Sequence, residues 1–466
     1  RDTGHGDQLR EPNAGRTGSG RWTRRGVVQH GAGLAVAAGA TAALAACGQT
    51  ATPGTGGGGT AQTPALSGTV RIQANKAFPF HEDVGGEIAQ SFMAKHPEVT
   101  IESEPLTGNA MDKLTAAVAG GDPPECFSVG CHQVQTLAAS GAVMSLADYF
   151  KRSSSLKLSD IWPTLVNDFT YQGKPYGVVY GPDLRIMYIS ADKYRSVGLD
   201  PNRPPATWNA LEEAIAKVHL GGQGAAIEHL GFDPFLGSGG IYRWMVPYWQ
   251  LGGELLSDDH KVTINNERAI EALTWLKKIV DRQGGYEQMQ AYEKGTRYTQ
   301  LFMDNRVTHM YATYAERAQA FAIQAPQMEF GFGTYPLPPN GRKANYGGGH
   351  TFPISQGASN PDAAWAFLEH LSNDENNLQF ADRYDRIPIR ISTTQSERYH
   401  QNDPFRKLAA SEMPGRRFVI SAPGGAEALA AQGNFVKDIM LNKVSIRDGL
   451  RNAETEIQQI LDKWQQ

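Results

Sequence analysis

The sequence predicts an α/β protein built as at least two lobes, and three observations lead there. The chain has 466 residues, well beyond the roughly 250–300 at which one hydrophobic core stops growing. Short alternating or apolar runs are followed repeatedly by amphipathic ones, the pattern of βαβ units and a largely parallel sheet. No run of about 20 apolar residues occurs past position 50, which excludes a polytopic membrane protein. Hydrophobic residues make up 40% and charged residues 20% of the chain, as in an ordinary globular protein. The net charge of −4 gives no support to a nucleic-acid partner. Three cysteines are too few for a disulfide scaffold.

The first segment reads as an address. Residues 1–30 are rich in Arg and Gly. A mild apolar stretch then runs to Leu44-Ala45-Ala46-Cys47. A charged region, an apolar region and a small-residue site form the secretory pattern. The alternative is a membrane anchor, but residues 31–46 are mostly Ala and Gly and would span a bilayer poorly. Leu44-Ala45-Ala46-Cys47 resembles a bacterial lipobox, which implies lipidation of Cys47. Thr23-Arg24-Arg25-Gly26-Val27-Val28 resembles a twin-arginine export signal, with Val27 and Val28 in place of a bulkier pair. The chain opens on Arg1 rather than Met, so the true start is expected to be missing or misassigned. After Cys47 comes a Gly, Thr, Pro and Gln tether with nothing to bury. Without residues 1–46 the net charge is −7 over 420 residues, a mildly acidic exterior that disfavours anionic polymers.

Elements then follow in order. Residues 69–74 alternate as a strand does. Residues 87–96 read as a helix stopped by Pro97, and 99–102 as a second strand. Residues 111–119 are helical, ended by Gly120-Gly121-Asp122-Pro123-Pro124. Residues 126–129 form a short buried strand and 133–139 a helix closed by Gly141. Residues 186–189 are a strand. Thr207 caps a helix running to about Val218. In residues 269–280, Ile270, Leu273, Leu276, Ile279 and Val280 line one helical face. Residues 363–371 and 446–464 are further helices, and no internal repeat is present.

The order of certain phrases resembles a known family. Pro124-Glu125-Cys126-Phe127-Ser128-Val129 with residues 137–146, Gly173-Lys174-Pro175-Tyr176-Gly177-Val178 with Met187-Tyr188-Ile189-Ser190, and Pro205-Ala206-Thr207-Trp208 come first. Leu251-Gly252-Gly253-Glu254, Leu337-Pro338, Gly347-Gly348-Gly349 and Ala363-Ala364-Trp365-Ala366-Phe367-Leu368 follow. Together, over about residues 69–462, they are similar to the extracellular solute-binding proteins of bacterial ABC importers, the sugar-binding, maltose-type family. The departure is Tyr188-Ile189-Ser190, where the family often has Tyr-Asn. The resemblance implies a two-lobed periplasmic-binding-protein-like fold, with discontinuous lobes around a ligand cleft. It divides the chain into an export signal with lipobox (1–46), a tether (47–67), a first lobe (68–182 and 338–390) and a second (183–337 and 391–466). Chain crossings are expected near 179–183, 335–338 and 387–391. It implies a binding protein and not an enzyme. The partners would be a small-molecule solute, a carbohydrate, the ABC permease subunits, and the membrane through a lipid anchor. No cofactor and no nucleic acid is implied, and the chain would act as a monomer on the extracytoplasmic face.

A sugar cleft needs flat aromatic faces and convergent polar groups. Tyr242 and Trp244, after a Gly-rich loop, are candidates for the cleft, whereas Tyr248 and Trp249 read as core. Tyr314 and Glu316 follow the 306–310 strand, Glu316 as a hydroxyl acceptor. Asn75 and Phe78 end the first strand, where ligands of open α/β sheets sit; Phe78 also reads as a buried loop plug. Gly130 and His132, with Cys131 and Gln133, open a helix with free N–H groups. Asp183 and Arg185 either reach the cleft or pair with each other as hinge structure. Gly348 and His350 belong to a segment that lets backbone approach closely or is a plain loop. Cys126 and Cys131 are either a local disulfide or small buried groups, and no metal site has convincing spacing. Rival readings are a receptor for a phosphorylated polyol or a polyamine, or a secreted glycosidase using Asp183 and Glu316, though no catalytic phrase marks either.

Overall fold

The computed structural model describes residues 66–74, 83–105, 110–222, 224–236, 240–257, 259–418 and 420–464. The candidates Cys47, Asn75 and Phe78 lie outside the described residues.

Two separate sheets carry the fold. In the first, Gly68–Ala74 pairs in parallel with Val99–Pro105 on one side and with Cys126–Phe127 on the other. The chain slips at Ser128, and Val129–Gly130 pairs with His350–Phe352, which runs antiparallel to it and to Val178–Tyr180. A bridge from Cys126 to Ile354 joins the two parts. The single strand expected over 126–129 is thus two short ones, because its partner changes midway.

The second sheet has the order Phe330–Gly333, Arg185–Ser190, Val307–Thr313, Leu230–Phe232. Arg185–Ser190 is antiparallel to both neighbours, and only the last pair is parallel. The expectation of a largely parallel sheet therefore holds for the Gly68–Ala74 region and fails here. The strand at the centre enters from the first sheet after a short crossing, so it meets its neighbours head to tail. All six of its residues are buried, which accounts for its apolar run.

The helices form where their caps and faces require. The Thr207 hydroxyl accepts from the Ala210 N–H at 3.2 Å, and Trp208–Val218 follows it. Asn266 caps Glu267–Arg282 in the same way. That helix buries Leu273, Leu276, Ile279 and Val280, while Ile270 is only partly covered. Trp208 and Trp275 stack at 4.0 Å between centroids and lock the two helices together. Among the described residues no helix is long and apolar enough to cross a membrane.

The crossings converge. The first passes between Tyr180 and Arg185, as expected near 179–183. The second does not occur at 335–338. Leu337 bonds to Ala206 and Trp208, and Asn345 to Arg185, so this stretch stays on the second sheet. The chain passes to the first sheet only at Gly347, Gly348 and Gly349. Cys126 and Cys131 are both buried free thiols, so the disulfide alternative falls.

His309 is wholly buried in the second sheet. Its Nδ1 is 2.8 Å from the Gly231 carbonyl and its Nε2 is 2.7 Å from the Tyr194 hydroxyl. The carbonyl can only accept, so Nδ1 carries a proton, and in the neutral ring Nε2 accepts from the Tyr194 hydroxyl. Burial lowers His309 to about 4. Its unfolded counterpart binds a proton near pH 6.5, so stability is lost as pH falls from about 6.5 towards 4. Thermal melts should show this decline, with His309 contributing up to about 1.4 kcal/mol per pH unit. His309→Gln should make the decline shallower; an unchanged pH slope would contradict the assignment.

Candidate functional site

The site is built on the two crossings that meet at Gly348. The Asp183 carboxylate accepts from the Gly348 N–H at 2.6 Å and from Arg185 Nη1 at 2.7 Å. Burial alone would raise Asp183, but Arg185, the Gly348 N–H and the nearby charges of Arg386 and Arg416 hold it below its ordinary value. Asp183 and Arg185 therefore pair with each other. Arg185 also lies over the Tyr346 ring at 4.9 Å. Asn345 is fully buried and serves the Arg185 backbone at both ends, accepting from its N–H and donating to its carbonyl.

The glycines are required at this point. A Cβ at Gly347 would lie 2.5 Å from the Asp183 carbonyl oxygen and 2.6 Å from Arg416 Cγ. Gly349 has φ +153°. The segment is a close backbone approach and not a plain loop.

Around it stand groups from several segments of the chain. His132, on the helix Cys131–Ala139, stacks on Phe418 at 5.5 Å with an 18° interplanar angle. Phe418 in turn faces Tyr346 at 6.0 Å. Gly130 caps that helix, and its N–H donates to Gln133 Oε1 at 3.1 Å. His350 sits 3.2 Å from the Ser128 hydroxyl, lowered to about 4 by burial and by the Arg386 charge. Burial also lowers Arg386 itself, although Asp183, Tyr180 and Glu316 oppose it.

The second-lobe aromatics divide. Tyr242 is half-buried and lines a cavity of about 550 Å³ with Phe235, Tyr286, Glu293 and Asn434. Burial and the charge of Asp233 push the Glu293 carboxyl well above its ordinary value. Trp244 offers no stacking face to a solute. Its ring is fully buried, stacked on Tyr248 at 5.4 Å and edge-on to Phe435. Tyr314 is likewise core, stacked on Phe405 at 4.6 Å. Glu316 is buried and already accepts the hydroxyl of Tyr298, so that oxygen is taken by the protein itself. Tyr248 and Trp249 are core, as expected.

Sequence reasoning missed Arg386, Tyr346, Phe418, Asp168 and Arg416. Among the described residues no group of three His, Cys, Asp or Glu is placed to hold a metal ion.

Residues 87–406 match the family of bacterial extracellular solute-binding proteins. The chain belongs to that family. A binding protein of Brucella abortus (strain 2308) is 23% identical over 397 residues, covering 85% of this chain and 93% of its own. The sn-glycerol-3-phosphate-binding periplasmic protein of Escherichia coli (strain K12) is 21% identical over 363 residues, covering 73% and 81%. Among solved structures, a binding protein with mannotriose bound has TM-score 0.71 at 24% identity, covering 84% of this chain and 99% of its own. The Mycobacterium tuberculosis UgpB complex with glycerophosphocholine has TM-score 0.70 at 19% identity, covering 86% and 100%. These likenesses give the solute-binding protein its two-lobed architecture.

Burial distinguishes the two neighbouring aromatics of this receptor. Trp244→Ala should cost about 3–5 kcal/mol in denaturant unfolding, as a large ring lost from a core does. Tyr242→Ala should stay within about 1 kcal/mol of the parent. Equal losses would contradict the placement of Trp244 in the core.

Proposed function

We propose that the protein is the solute receptor of an ABC importer and that its solute is a carbohydrate. It binds the solute between its lobes, hands it unchanged to the permease subunits, and acts as a monomer. Export through residues 1–46 and lipidation of Cys47 would hold it on the outer face of the cell membrane, with residues 47–67 as the tether. More than one acyl chain on that cysteine supplies the anchoring that a single chain does not.

The observation that carries the carbohydrate reading is the charge balance of the crossing. Arg185 is matched by Asp183 at 2.7 Å and Arg416 by Asp168 at 2.8 Å. These two guanidiniums, each neutralised by a carboxylate, are not left for a phosphate to pair with. The half-buried rings of His132 and Phe418 suit the C–H faces of a sugar, and the polar groups beside them suit its hydroxyls. Proteins of similar fold solved with mannotriose and with maltose bound support the same class.

Titration calorimetry against mannobiose, mannotriose, maltose, sn-glycerol 3-phosphate, glycerophosphocholine and spermidine tests the reading. At least one sugar should bind with Kd in the micromolar range or tighter, and the phosphate compounds and the polyamine should not. Binding of a phosphate compound or the polyamine with no sugar bound would overturn it, and so would chemical turnover of the sugar.

A further inference from the structure

We propose that Arg416 and Asp168 are positioning residues for solute capture: a buried pair between the lobes that sets the balance between their arrangements without touching the solute. The inference rests on the reading of the protein as a hinged receptor and adds to it the residues that weight the hinge.

The two side chains stand on segments tied to different sheets. Asp168 ends the helix Pro163–Asp168, which packs on the helix Cys131–Ala139 beside the first sheet. Arg416 opens the short strand Arg416–Arg417, paired with Asn345–Tyr346, and Asn345 is bonded to the second sheet. Arg416 is 0% and Asp168 3% exposed, with Nη2 and Oδ2 2.8 Å apart.

Every nitrogen of the guanidinium is directed at an acceptor. Nη2 donates to the Gly348 carbonyl at 2.6 Å, Nε to the Asp183 carbonyl at 3.3 Å and Nη1 to the Thr164 carbonyl at 3.3 Å. Two of these acceptors are the crossing segments themselves. Thr164 and Asp168 lie on the first-lobe helix. One rigid planar group therefore ties both crossings to the opposite lobe, which a lysine ammonium on a flexible stem does not reproduce.

A cavity of about 460 Å³ adjoins the pair. Its walls include Thr164 and Asn167 on one side and Trp249, Glu254 and Leu255 on the other. A space walled by both lobes changes shape when they rotate, so the pair beside it is either kept or lost with that motion. Breaking it leaves charges buried without partners, which weights the equilibrium towards the arrangement in which it is made.

The test needs no solute. Spin labels are placed on cysteines substituted at the exposed Lys151 and Glu271, with Cys47 replaced; Cys126 and Cys131 are buried and do not label. Pulsed electron–electron distances are then recorded for the parent, for Arg416→Lys, and for the paired variant Asp168→Asn with Arg416→Gln, which leaves no lone buried charge. In the paired variant the population at the parent distance should fall at least about tenfold relative to the shifted population, with Arg416→Lys between the two. A circular-dichroism melt shows that the paired variant is folded; if it is not, Arg416→Lys alone must still show the shift. A parent distribution that responds to solution conditions while both variants match it would overturn the role of the pair. A parent and variants all fixed at one distance would overturn the hinge reading as well.

Discussion

The Gly348 peptide is held from both sides by charged groups: Asp183 takes its N–H and Arg416 gives to its carbonyl, each at 2.6 Å. Both partners are themselves neutralised, Asp183 by Arg185 and Arg416 by Asp168. Charge-assisted bonds to a backbone amide in a buried setting are stronger than neutral ones. They bring the two crossings side by side, and the remaining architecture follows from that. The strand entering at Arg185 runs against its neighbours, and the strand leaving at His350 runs antiparallel on the other sheet.

This constraint explains why the glycines are where they are. Gly347 leaves no room for a side chain between Asp183 and Arg416. The same packing sets the electrostatics of the site. His350 is kept neutral by burial and by Arg386, and Asp183 is kept ionised by Arg185 and Gly348. Of the groups around the crossing, His132 and Phe418 supply half-buried apolar faces, and the Asp183–Arg185 and Asp168–Arg416 pairs are each internally balanced.

Much of the fold was legible along the chain. Local signals placed the helix capped by Thr207, the face of Leu273, Leu276, Ile279 and Val280, and the breaker after Ala119, because each depends on residues a few positions apart. The second crossing was misplaced by about ten residues, since Leu337-Pro338 looks like an exit from a strand. What holds 337–346 back is hydrogen bonding to Ala206, Trp208 and Arg185, far away in sequence. The mixed second sheet has the same cause: strand direction is decided by the crossing and not by the pattern within the strand.

The site was less legible. Asp183, Arg185 and the glycine segment carried their own signal, a charged pair and three consecutive glycines at a predicted crossing. Trp244 and Tyr314 did not, because an aromatic residue near a cleft reads the same in sequence whether it faces solute or Phe435 and Phe405. Arg416 and Asp168 were invisible, being 248 positions apart and joined only in the folded chain. Hydrogen–deuterium exchange of the peptides covering 181–185 and 345–350 tests the central claim most directly. If the charged clamp on Gly348 organises the fold, these amides exchange only on global unfolding, as slowly as those of the Arg185–Ser190 strand. Exchange as fast as in exposed turns, with the two sheets still protected, would contradict it.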